Sequence, residues 1–144
     1  MLAKVNRAVG TRAKSLQAPV TYEVPPDAVA EAIINALAHR DYHSNASVEV
    51  RLFVDRLEVW NPGALPGTLT LDDLHTDHAS VPNNPLLAES LYLASYIEKL
   101  GSGTQIMIAL CRQAGLPEPD FELLERRGKR RGVFYVKARG MPQE

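Results

Sequence analysis

Glu31 and Asn35 stand four residues apart in a stretch whose apolar residues recur at helical spacing. On an α-helix the two side chains point the same way, about 6 Å apart along the axis. A carboxylate and a carboxamide so placed divide two tasks: the amide oxygen ligates a hard cation such as magnesium, and the carboxylate orients or deprotonates a water. Taken alone the pair is weak evidence, because Glu and Asn at this spacing also occur on solvated helix faces.

The elements that must position this pair can be read from punctuation and periodicity. Pro25-Pro26-Asp27 is a helix start, since proline is tolerated in a first turn and an acid there suits the helix dipole. The helix is expected to run to about His39, with Val29, Ile33, Ala36 and Leu37 on one side and Glu31, Asn35 and His39 as a stripe on another. From Ser47 to Val54 the residues alternate, Val48, Val50, Leu52 and Val54 against Glu49 and Arg51, which predicts a half-buried strand. Asp55-Arg56 is a weak turn signal, and Leu57 to Trp60 returns as a second strand that Asn61-Pro62-Gly63 ends.

Ala64 to Pro85 is rich in turn formers and predicts a long loop of the kind that serves as a lid. Leu86 to Leu100 predicts a helix broken at Gly101-Ser102-Gly103, and Thr104 to Ala114 another, closed by Gly115 and Pro117. Phe121 to Glu125 and Gly132 to Ala138 read as strands joined by the basic turn Arg126-Arg127-Gly128-Lys129-Arg130-Arg131. This order predicts an α/β (α+β) two-layer sandwich, with helices on one face of a mixed, mostly antiparallel sheet. Met1 to Ala13 reads as a mildly amphipathic helix. Residues 1–20 are therefore assigned to a helix and linker from an upstream region, 21–140 to one domain and 141–144 to a tail, and the chain reads as a fragment of a larger protein.

The bulk numbers narrow the class. At 144 residues one core is enough, and 45% hydrophobic with 23% charged residues is the balance of an ordinary folded domain. A net charge of -1 supplies no global field toward nucleic acid or an anionic membrane, so such a partner needs a local patch. The single cysteine, Cys111, rules out an intramolecular disulfide and suits a reducing compartment, so the expectation is a cytoplasmic protein with no membrane partner.

Four motifs, in order, make a more specific pattern than the helix pair. They are Glu31-Ala32-Ile33-Ile34-Asn35-Ala36 with His39-Arg40-Asp41-Tyr42; Asn61-Pro62-Gly63-Ala64-Leu65-Pro66; Ser80-Val81-Pro82-Asn83-Asn84-Pro85-Leu86; and Ile97-Glu98-Lys99-Leu100-Gly101-Ser102-Gly103. Together they resemble the GHKL-like (Bergerat-fold) ATPase domain at the C-terminus of RecG-related helicases and AlbA-type transcriptional regulators, over roughly Pro25 to Ala138. The resemblance implies ATP and magnesium as cofactors. Glu31 then corresponds to the water-activating glutamate and Asn35 to the magnesium-holding asparagine.

Asn61 and Gly63 fall where the superfamily has its first glycine box, with asparagine here in place of the adenine-binding aspartate. Gly101, Ser102 and Gly103 correspond to the second glycine box, where bare backbone beside a helix start approaches phosphate. Asn83 stands where the family usually has an arginine. The resemblance thus implies an ATP-binding regulatory domain, with slow hydrolysis, of a DNA-associated protein. No Gly-x-x-x-x-Gly-Lys-Ser/Thr loop is present, so helicase motor activity is not expected of this chain. The alternative is a degenerate member that has lost the nucleotide and acts in dimerisation or in protein or DNA interaction.

The remaining signals are weaker. Arg126, Arg127, Lys129, Arg130 and Arg131 form the one patch able to meet nucleic-acid phosphates, though a charged hairpin tip is more often solvated surface. His39-Arg40-Asp41 resembles a kinase catalytic loop, but Ala46 stands where asparagine is needed. The local expectation is that Arg40 and Asp41 pair at the helix end and Tyr42 packs over it. Asp72, Asp73, His75, Asp77 and His78 crowd one loop without the spacing of a metal site, and Cys111 sits among apolar neighbours as packing.

Overall fold

The computed structural model describes residues 8–10, 20–65, 69–76, 82–94, 103–126 and 129–137. The first strands are β1, Ala8–Gly10, and β2, Val20–Tyr22, paired antiparallel with Val9 opposite Thr21. The helix expected over Met1 to Ala13 is therefore corrected at residues 8–10, which extend along β2. A short isolated helix is marginal in water, and pairing offers the backbone a better outlet.

Helix α1 spans Pro26–Ala38, begun by proline in its first turn with Asp27 beside it, as its sequence predicts. Its buried face is Ala28, Val29, Ala32 and Ala36, with Ile33 packed against the core, whereas Leu37 is 36% exposed. Leu37 was expected on the apolar side; small residues instead let α1 lie close to its neighbours. Strands β3, Glu49–Leu52, and β4, Arg56–Pro62, form an antiparallel hairpin closed by the bond from Phe53 N to Arg56 O at 2.8 Å. The turn thus falls on Val54-Asp55, one residue before the expected place. Leu52 and Val54 project past the core at 43% and 80% exposure, so only Val48 and Val50 of the predicted apolar face are core positions.

A 3-10 helix, Asp72–His75, interrupts the segment after β4. Helix α2, Pro85–Leu93, and helix α3, Gly103–Gln113, follow; the predicted extension of α2 toward Leu100 lies outside the described residues. Gly115 ends the α3 turn with φ 70°, a left-handed conformation that favours glycine. Strands β5, Asp120–Arg126, and β6, Lys129–Lys137, complete a four-stranded sheet of order β3-β4-β6-β5, every described pair antiparallel. No parallel pair occurs among the described strands, so the sheet is antiparallel and not mixed. The expected basic turn is likewise reduced, because Arg126 pairs with Lys129 and both belong to strands.

The three helices pack against this open sheet, an α+β fold. Between the layers lie Val29 and Ala32 of α1, Leu57 and Val59 of β4, Met107 and Cys111 of α3, and Val136 of β6. Burial pushes the Cys111 thiol up to about 11, so it serves as packing and not as a nucleophile. None of the described helices is long and apolar enough to cross a membrane.

On the sheet face away from the core, side chains of β3 and β4 pair with one another and with Arg131. Glu58, 6% exposed, accepts from Arg56 Nε at 2.6 Å and from Trp60 Nε1 at 2.7 Å. Arg51 lies over the Trp60 ring at 4.2 Å and donates to Glu49 Oε2 at 2.6 Å, while Arg131 reaches Glu49 Oε1 at 3.3 Å. Arg131 is thus held by an acid across the sheet. The Arg51 hydrogen bond, opposed by partial burial and assisted by the charges of Arg51 and Arg131, holds the Glu49 carboxyl below the usual carboxylate range.

Two outcomes follow from this packing. Leu57→Ala should cost about 2–5 kcal/mol, read as a lower denaturation midpoint, since Leu57 is 1% exposed at the centre of the core. Because the Glu49 carboxyl titrates lower in the folded than in the unfolded chain, its stabilisation is present above the unfolded value. It is lost as pH falls through the depressed one. Glu49→Gln should therefore flatten the acid limb of the stability profile and leave its slope near neutrality unchanged.

Candidate nucleotide site

Two turns of α1 carry Glu31 and Asn35, and both face the start of α3. A Cβ placed on Gly103 would lie 2.6 Å from Glu31 Oε1 and 3.2 Å from Asn35 Nδ2. Glycine leaves room for both side chains; a methyl group here would displace them. The acid and the amide on one helix are thus brought to the N-terminus of another, where backbone amides and the helix dipole favour negative charge. Gly101 and Ser102, predicted with Gly103 as a phosphate-binding turn, lie outside the described residues.

Gly63 meets the far end of the same helix, with Asn61 two residues before it on β4. Asn61 follows Leu57 and Val59 at period two, so it lies on the core side of β4. Strand β4 does not stop at Trp60 as predicted. Pro62 still sits opposite Arg131 of β6, and on the side that β3 has vacated its carbonyl accepts from Asp41 N at 2.7 Å. Proline is tolerated there because the pairing it cannot extend has already ended. A Cβ on Gly63 would stand 2.8 Å from the carbonyl of His39, so glycine lets β4 close against the end of α1.

The carbonyls left over at the C-terminus of α1 are satisfied from a distance. Asn83 Nδ2 donates to His39 O at 2.8 Å, and Asn84 Nδ2 to Ala38 O at 3.0 Å and Arg40 O at 2.7 Å. Tyr42 hydroxyl donates to Leu37 O at 3.0 Å. Asn83, which stands where the family usually has an arginine, and Asn84 are therefore caps that fix the helix. Asparagine just before a helix-starting proline was the signal available, but nothing local says that it caps another helix.

The expected pairing of Arg40 with Asp41 is corrected. Arg40 donates to Ala46 O at 2.9 Å and lies over the Tyr42 ring at 4.8 Å, while Asp41 Oδ1 accepts from His43 N at 2.9 Å. Tyr42 does pack over the helix end. The acidic loop is also occupied with its own structure: Asp73 Oδ2 accepts from both the amide and the hydroxyl of Thr70 at 2.7 Å, and His75 meets the Phe121 ring edge-on at 5.5 Å. No group of three His, Cys, Asp or Glu among the described residues is placed to hold a metal; Asp77 and His78 are outside them. Of the basic patch, Arg131 is paired with Glu49, Arg127 lies outside the described residues, and nothing is described of the side chains of Arg126, Lys129 and Arg130.

Three polar atoms are left over in this region. Arg40 Nε just past the end of α1, Asn61 Oδ1 on β4, and Thr104 Oγ1 in the first turn of α3 are buried with no hydrogen-bond partner among the described residues. Such atoms each cost about 1–3 kcal/mol unless something else satisfies them.

A crystal structure of the DIP2311 protein from Corynebacterium diphtheriae is similar at TM-score 0.75 and 27% sequence identity, over 96% of this chain and 27% of that one. The chain thus spans about a quarter of that protein's length. No curated protein matches the sequence significantly. The family model described as "Putative ATP-dependent DNA helicase recG C-terminal" matches residues 45–129, which include Asn61, Gly63, Asn83 and Gly103. That match begins after α1, so Glu31 and Asn35 rest on their own geometry. Spanning more than half of the chain, it shows that this protein belongs to the HATPase-type family of RecG C-terminal domains.

Proposed function

We propose that the chain is an ATP-binding regulatory domain of a DNA-associated, RecG-related protein or transcriptional regulator, with slow magnesium-dependent hydrolysis. The observation that carries this reading is the approach of Glu31 and Asn35 to Gly103. Phosphates would be received at the start of α3, where backbone donors and dipole favour them. Magnesium suits the residues present: Asn35 supplies one hard oxygen, and this ion is commonly held by one or two protein ligands together with phosphates and waters. When bound, it would neutralise charge on the phosphate oxygens. Glu31 is suited to orient a water and take its proton, and Asn61 Oδ1 to accept from the base.

A second reading has an observation of its own. The Glu31 carboxylate lies where an anion stabilises α3, so it could act as a structural cap in a module that binds no nucleotide and serves dimerisation or protein and DNA interaction. The two separate in one measurement. ATP with magnesium should raise the melting temperature of the purified chain more than ATP alone, whereas an unchanged melting temperature would favour the module.

Substitutions divide the roles further. Glu31→Gln keeps the shape and should retain ATP-dependent stabilisation while phosphate release falls by about two orders of magnitude or more. Loss of binding and hydrolysis together would count against Glu31 as the base. Gly103→Ala meets only the far ends of two flexible side chains, so its melting temperature should stay near that of the parent while Glu31 and Asn35 are displaced and hydrolysis drops. Gly63→Ala presses on the backbone carbonyl of His39 and should destabilise the fold itself, visible without nucleotide in a thermal melt.

A further inference from the structure

The Asn61 side chain is an amide with an unmet need. Its Oδ1 is buried without a partner among the described residues, and no described hydrogen bond fixes which way the amide faces. A group in that state is relieved by a ligand that brings the complementary atom. Its position relative to α1 says which part of a ligand that is. Glu31 and Asn35 meet Gly103 in the middle of the helix, whereas Gly63, two residues beyond Asn61, lies against His39, one turn past Asn35. A nucleotide lying along α1 with its phosphates at Gly103 therefore brings its base toward Asn61.

We propose that Asn61 reads the 6-position of a purine and accepts both adenine and guanine nucleotides there; this rests on the reading of the site as a nucleotide site. Adenine presents a 6-amino donor and guanine an O6 acceptor at the same place. A carboxylate only accepts, and so discriminates between them. A carboxamide offers an acceptor and a donor of nearly the same shape, exchanged by a half-turn about its last bond, and can answer either base. The charge at this point is also zero, so no fixed negative charge repels O6. The domain is thereby a purine nucleoside triphosphate site in which base identity is weakly read.

The test is the melting temperature of the full chain, with magnesium, titrated with ATP, GTP, purine riboside triphosphate (which lacks a 6-substituent) and inorganic tripolyphosphate. ATP and GTP should give dissociation constants within about threefold of each other; purine riboside triphosphate should bind about tenfold more weakly, the effect of one lost hydrogen bond, and tripolyphosphate, without base or sugar, more weakly still. Asn61→Asp should keep ATP and weaken GTP by about tenfold or more, and Asn61→Ala should bring both down to the purine riboside level. Stabilisation by ATP without GTP overturns the base inference and leaves ATP binding standing; so does equal stabilisation by all four ligands, which would mean that only phosphates are read. Stabilisation by none of them overturns both. Should the aspartate variant fail to fold, the four-ligand comparison on the parent chain and the alanine variant decide.

Discussion

A glycine at the first position of α3 permits the contact on which the site depends. Without a side chain at Gly103, the polar stripe of α1 lies directly against another helix's N-terminus, and two groups of opposite tendency, an acid and a dipole that attracts anions, share one place. Ordinary packing would fill such a gap with a methyl group. Here the space is taken by the carboxylate of Glu31 and the amide of Asn35, which ties the chemistry of the helix face to the backbone of its neighbour.

Holding α1 still is the second requirement, and the fold meets it at the helix's inner face and at its C-terminal end. The inner face is small, Ala28, Ala32 and Ala36 with Val29, and presses on Leu57, Val59 and Met107. At the C-terminus, side-chain amides from Asn83 and Asn84 and the Tyr42 hydroxyl take up the carbonyls that the helix cannot satisfy. Two sequence-distant segments, the end of β4 and the start of α2, thus converge on residues 37–41, so the helix end is a fixed point from which Glu31 and Asn35 are measured.

How much of this was legible in the residues differs by element. Period and punctuation placed α1, the β3-β4 hairpin, α3 and the last two strands, because prolines, glycines and alternation act locally. The errors arise where a distant partner decides. Pro62 remains in its strand because β3 has already ended, Leu52 and Val54 overrun the core, and residues 8–10 pair as a strand with 20–22. For the site, the spacing of Glu31 and Asn35 was readable, but their approach to Gly103 depends on two helices far apart in sequence. The asparagine caps were invisible for the same reason: a side chain that satisfies another helix's carbonyls leaves no periodic trace.

The central claim is that nucleotide phosphates meet α1 and α3 at Gly103. Amide resonances offer the most direct view, since the Gly103 backbone N–H gives one assignable signal and the Asn35 side-chain NH2 an assignable pair. On adding a non-hydrolysable ATP analogue with magnesium, both should shift saturably with the same dissociation constant, while the amide of Val136 on the central strand stays in place. Saturable shifts confined to residues away from α1 and α3, or none at all, would contradict the account.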